Sequence, residues 1–204
     1  MSQFPERFET EVVAELRGVV DKQGKSPLWA ALGSHFFQIG FPRAETLTSE
    51  NKKFIADLMP RHPIYIPLLP KEAQEVLGEV HPNTRPARAM LEQEGFEYRN
   101  NVDIFDGGPA VHAKTGEIRT VKENEECEVK DIVAEVDGGS RMLISNTLLS
   151  FKCCLGQVEL KNQQATIDQV TALRLDLKTG DRMRVAHVKP GSDKYAAKKK
   201  ASKK

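Results

Sequence analysis

Among the 204 residues, the stretch Gly78-Glu-Val-His81-Pro-Asn-Thr-Arg-Pro-Ala-Arg-Ala-Met-Leu-Glu-Gln-Glu-Gly95-Phe96 does most to limit the folds open to the chain. His81-Pro82 stops one helix, because proline cannot continue it. Thr84 is placed as N-cap of the next helix, with Pro86 in its first turn. Gly95 then supplies the left-handed residue that ends that helix and hands the chain to a strand. With the helices that precede it and the short strands that follow it, this corner gives the chain the pattern of the α+β class.

The flanking segments extend this pattern. Glu11 to Asp21 (EVVAELRGVVD) reads as a valine-rich strand, apolar on both faces near its centre as an interior strand is. Gln23-Gly24-Lys25 makes a turn, and Ser26-Pro27 opens a helix whose Leu28, Ala31, Leu32 and His35/Phe36 face a core. A helix is predicted over 49–59, an extended segment over 63–70, and a helix from Lys71 to about Glu79 with Ala73, Val76, Leu77 and Val80 on its apolar side. Strand Tyr98 to Asp106 follows and is closed by Gly107-Gly108-Pro109. Beyond it, short apolar segments (Ile118–Val121, Met142–Ser145, Val158–Lys161, Met183–Val188) alternate with glycine turns, the pattern of a small all-β unit. The predicted organisation is a first domain over 1–110, a β subdomain over 111–190 and a disordered tail over 191–204.

Charge and cysteine content narrow the function classes. The net charge is +1, but Lys194 to Lys204 contributes six lysines and no acid, so the rest of the chain carries −5. A mildly acidic body argues against nucleic acid as a partner, and the tail reads as a solvated end. No apolar run approaches the ~20 residues that span a bilayer, so no membrane partner is expected. Cys127, Cys153 and Cys154 form neither a zinc spacing nor a redox pair. A reducing cytoplasm is the expected location.

His81 is the leading candidate for chemistry. A histidine side chain, with a pKa of ~6.5 in water, both gives and takes protons near neutrality. The competing reading is a charge at the negative end of a helix dipole. His35, His62, His112 and His187 lack companions at ligand spacing, and no metal site is expected. Glu15 and Arg17 share one strand face because side chains alternate with period two. With Asp103 and Asp106 they can bind a guanidinium and a carboxylate in bidentate fashion, or form ordinary ion pairs.

Taken in order, VVAELRGVVD (12–21), SPLWAALGSHFF (26–37), FIADLMPRHPIY (54–65), EAQEVLGEVHPNTRPARAMLEQEGFEYRN (72–100) and VDIFDGGP (102–109) resemble the arginine N-succinyltransferase family. The resemblance is dense over residues 10–109, thin over 111–178, and returns at Thr179-Gly-Asp-Arg-Met-Arg-Val185. It implies an acyl-CoA N-acyltransferase (GNAT)-like partial domain with a β subdomain. It also implies transfer of succinyl from succinyl-CoA, as co-substrate and not as a permanently bound cofactor, to the α-amino group of L-arginine in arginine catabolism. The family's proton-donor histidine maps onto His81; Glu15, Arg17 and Asp103 are the candidate substrate-binding residues. No Arg/Gln-x-x-Gly-x-Gly/Ala turn, whose backbone N–H groups would hold the CoA pyrophosphate, is present. The resemblance therefore implies a homo-oligomer, or a partner chain carrying the CoA-binding half. The alternative is a non-catalytic partner or regulatory subunit built on the same half-fold. A polyanion-binding module driven by the lysine tail is a weaker third option.

Overall fold

The computed structural model of the chain describes residues 1, 3–40, 43–44, 46–47 and 61–189. The helix predicted over 49–59 and the tail over 191–204 lie outside these residues. The described residues form an α+β fold in two compact units, one spanning Glu11–Lys114 and the other combining Met1–Thr10 with the chain from Thr115 onward. The boundary predicted after residue 110 falls inside a strand of the first unit.

The first unit holds a three-stranded antiparallel sheet of β1 (Glu11–Glu15), β2 (Glu97–Val102) and β3 (Pro109–Lys114), in the order β1-β3-β2. Strand β3, which sequence patterning assigned to the β subdomain, is the centre of this sheet and is buried from Pro109 to Ala113. Pairing of Val12 with Ala113 and of Ala14 with Val111 puts these side chains on one face. Glu11, Val13 and Glu15 occupy the other and are exposed.

The predicted strand 11–21 is shorter than its valines suggest. Its ladder ends after Leu16 N–H donates to Pro109 C=O at 3.1 Å. The next inward residue, Gly18, gives its N–H to a side chain instead of a strand. After a turn at Gly24, Ser26 Oγ accepts from Trp29 N–H, and the chain forms a π-type stretch, Trp29–Gly33, running into α1 (Ser34–Phe37). The wider turns rotate the apolar stripe, so Leu28 and Trp29 are buried while His35 and Phe36, predicted to face the core, are exposed. Trp29 stacks on Phe105 with centroids 5.2 Å apart, and its indole N–H donates to Ile39 C=O. The segment predicted as extended over 63–70 contains a 3-10 turn, Ile66–Leu68.

Helix α2 (Lys71–Val76) buries Ala73 and Val76, as its spacing predicts, and ends before Gly78 at φ +77°. A 3-10 turn, Pro82–Thr84, leads into α3 (Arg85–Gln93). Gly95, at φ +94°, closes α3, with Phe96 N–H donating to Leu91 C=O.

The second unit contains α4 (Arg119–Lys122), β4 (Glu125–Val133), β5 (Ser140–Asn146), β6 (Cys153–Lys161), β7 (Gln164–Asp168), α5 (Gln169–Leu175) and β8 (Arg182–His187). Its strands close into a barrel in the order β4-β7-β6-β5-β8 around Val129, Ile144, Val158, Ile167, Met183 and Val185. Two helices correct the all-β expectation, and Ile118–Val121 enters α4 and not a strand.

Candidate active site

His81 lies five residues past the end of α2 and opens the next turn. Its Nδ1 accepts from Asn83 N–H at 3.2 Å and so caps the 3-10 turn Pro82–Thr84, while Thr84, the N-cap residue of α3, makes no side-chain cap bond. An Nδ1 that accepts leaves the neutral ring's proton on Nε2, on the side of the ring away from Asn83 N–H. His81 is half-buried, and its own N–H donates to Arg17 C=O at 2.9 Å, beside a bridge between Gly18 and Val80.

Glu15 and Arg17 are both exposed at the C-terminal end of β1. Asp103 is half-buried at the head of the turn after β2, where Oδ1 accepts from Phe105 N–H at 2.7 Å and Asp106 N–H at 3.2 Å. Burial raises the Asp103 pKa above the usual 3.8; the two backbone bonds oppose this, and the Asp106 and Glu15 charges add to it. The structure thus brings Glu15, Arg17, His81 and Asp103 to one corner of the first unit.

Asp106 departs from the binding role that sequence reasoning offered it. Its carboxylate is buried, with Oδ2 accepting from Gly18 N–H at 2.8 Å and Oδ1 from Gly108 N–H at 2.9 Å. Alongside, Gly78 N–H donates to Gly107 C=O at 2.8 Å. Only glycine fits this crossing. A Cβ on Gly18 would lie 2.4 Å from Asp106 C=O, and one on Gly108 would lie 2.1 Å from Leu16 C=O. Sequence patterning read Gly107 and Gly108 as the close of a strand, Gly18 as part of a strand and Gly78 as part of a helix, so their meeting in one set of hydrogen bonds is not legible locally.

Sequence reasoning passed over Tyr98 and placed His112 in the β subdomain. Tyr98 places its hydroxyl against Gly78, 2.5 Å from where a Cβ would be. His112 is buried in β3, not in the second unit; its Nδ1 is 3.6 Å from Glu11 Oε2, and Arg99 donates to the other Glu11 oxygen at 2.6 Å. Among the described residues no group of three or more His, Cys, Asp or Glu is arranged to hold a metal ion.

The family profile described as "Arginine N-succinyltransferase beta subunit" matches residues 1–120, and that of its C-terminal domain matches 125–187. The chain belongs to this family. It is 40% identical over 185 residues to an arginine N-succinyltransferase of Yersinia enterocolitica, covering 89% of this chain and 54% of that protein. It is 41% identical over 192 residues to an Escherichia coli arginine N-succinyltransferase, covering 92% and 55%. Its fold superposes with a TM-score of 0.80, at 35% identity, on the structure of arginine/ornithine succinyltransferase subunit AI from Pseudomonas aeruginosa, covering 92% of this chain and 54% of that one. The chain thus spans about half the length of the curated relatives it matches. Within the described residues, no helix is long and apolar enough to cross a membrane.

Proposed function

We propose that this chain is the His81-bearing part of an arginine N-succinyltransferase, acting with a second polypeptide segment that grips CoA. The observation that carries the reading is the His81 ring, oriented by Asn83 with Nε2 directed away from the turn. The neutral α-amine of arginine attacks the thioester carbonyl, a C–N bond forms and the C–S bond breaks; the attacking nitrogen gives its surplus proton to water, and the departing thiolate takes one from Nε2 of the protonated ring. Glu15 and Asp103 then accept from the acceptor's guanidinium while Arg17 pairs with its carboxylate.

A GNAT-like arrangement of the first unit is part of the same proposal. The antiparallel order β1-β3-β2 and the helix-glycine-strand corner at Gly95 support it. Strand β1 is an edge, and edges of this kind recruit a neighbouring strand, here the partner chain's or a second copy's. A cytoplasmic setting belongs to the proposal too, supported by three free thiols.

The test is release of CoA thiol from succinyl-CoA with and without L-arginine, using the purified chain, alone and with any co-purifying CoA-binding chain, beside His81→Ala. Arginine-dependent release that collapses in the variant supports the reading; L-ornithine as acceptor in parallel defines selectivity. No release in any assembly that binds succinyl-CoA would favour the alternative, a non-catalytic partner subunit.

A further inference from the structure

We infer that Asp106 is a positioning residue for His81, an assignment that rests on the proton-donor reading of His81. Burying a carboxylate is costly unless its oxygens are bonded. Asp106 is buried, and each of its oxygens takes one backbone N–H, from Gly18 at 2.8 Å and Gly108 at 2.9 Å. Gly18 is separated from it by 88 residues, so this bond ties the end of β1 to the 106–108 corner.

Both anchors of the His81 turn depend on that tie. The residue before Gly18, Arg17, offers the carbonyl that accepts His81 N–H at 2.9 Å. The residue after Asp106, Gly107, offers the carbonyl that accepts Gly78 N–H at 2.8 Å. Glycine at 18 and 108 completes the fit, because Cβ atoms there would stand 2.7 and 2.9 Å from Asp106 Oδ1. Without the carboxylate, the Gly18 and Gly108 N–H groups lose their acceptors, and the two segments bracketing residues 78–81 keep only the neighbouring Leu16–Pro109 bond to hold them in register. A displacement of about 1 Å at a reacting group can cost 10²-fold in rate.

Asp106→Asn keeps the size but replaces one acceptor by a donor. In the assembly that carries activity, the expected result is a kcat at least about tenfold lower, with KM for the acceptor within about threefold of wild type. Hydrogen exchange supplies a readout independent of turnover. In Asp106→Asn the His81 and Gly78 amides should exchange at least about tenfold faster, while barrel amides such as Val185 keep their rates. An unchanged His81 amide, or unchanged kcat in the folded variant, overturns the inference even if His81→Ala abolishes turnover. Conversely, intact turnover in His81→Ala with a faster His81 amide in Asp106→Asn rejects the proton-donor reading while the structural link stands. A measurement on the unmodified chain covers a variant that does not fold. In rising denaturant the Gly18, Gly108, Gly78 and His81 amides should open with one free energy and one slope. Separate opening of His81 and Gly18 overturns the link.

Discussion

The amide of His81 donates to the carbonyl of Arg17 at 2.9 Å, so the proposed proton donor and a proposed contact of the acceptor stand one hydrogen bond apart. This bond uses only backbone atoms, and substitutions at either side chain leave it in place. His81→Gln should therefore lower turnover by about 10²–10⁴-fold with little change in thermal stability. Steady-state rates beside a thermal melt decide it; a melt lowered in step with the rate would point to misfolding.

Asp103 should respond to pH in a defined sense. Its folded-state pKa is raised above 3.8, by burial first, so the ionised form is the one the fold disfavours. The stability penalty is absent below 3.8 and grows as pH rises through the raised value. Asp103→Asn keeps Oδ1 as acceptor for Phe105 and Asp106 and removes the charge. Its Tm at pH 7 should equal wild type or exceed it by ~1–3 °C. Asp103→Ala, which orphans both N–H groups, should lower it. The same Asn variant should raise KM for arginine about tenfold, by loss of a charge-assisted bond.

Gly78→Ala should destabilise the first unit by about 1–3 kcal/mol. Two causes add: φ is +77°, and the new Cβ would lie 2.5 Å from the Tyr98 hydroxyl. Combining it with Tyr98→Phe relieves only the second, so denaturant midpoints of the single and double variants separate strain from clash.

Asp168 caps α5 in the barrel, with Oδ1 accepting from Thr171 N–H and Oδ2 from Thr171 O–H, both at 2.8 Å. Burial alone would raise its pKa, but the Thr171 bonds reverse that and hold it below 3.8. The cap therefore stabilises above 3.8, and its contribution is lost as pH falls through the lowered value. Asp168→Ala should cost about 1 kcal/mol at neutral pH and less in acid. Urea titrations at two pH values test this.

Thiol labelling should be selective. Burial, with help from the Glu125 and Glu126 charges, pushes the Cys127 thiol up to about 11, whereas Cys153 is exposed. A maleimide at neutral pH should modify Cys153 first, slowly because its pKa is also raised by burial, and Cys127 only on unfolding. Mass spectrometry of the labelled peptides gives the order.

Much of the fold could be read locally. Ala73 and Val76 are buried as their spacing predicts, Gly95 ends α3, Met142–Ser145 and Val158–Lys161 fall within barrel strands, and Met183–Val188 overruns its strand by one residue. These features depend on neighbours a few residues away, which periodicity and turn chemistry report. The polar wrap of β3 hid its central place: Gly107-Gly108 before it and Lys114-Thr115-Gly116 after it read as a boundary. The π-type stretch at Trp29–Gly33 shifted a helical stripe that assumed 3.6 residues per turn, which exposed His35 and Phe36.

The sequence by itself determined the α+β class, the punctuation by proline and glycine, and the motif that singles out His81. Only the tertiary structure decided what Asp103 and Asp106 do. Two carboxylates three residues apart look alike in a string of letters, yet one caps an open turn beside Glu15 and the other is buried against Gly18. The difference arises from the Gly18 N–H, which arrives from 88 residues away, and such long-range pairing leaves no local periodicity to read.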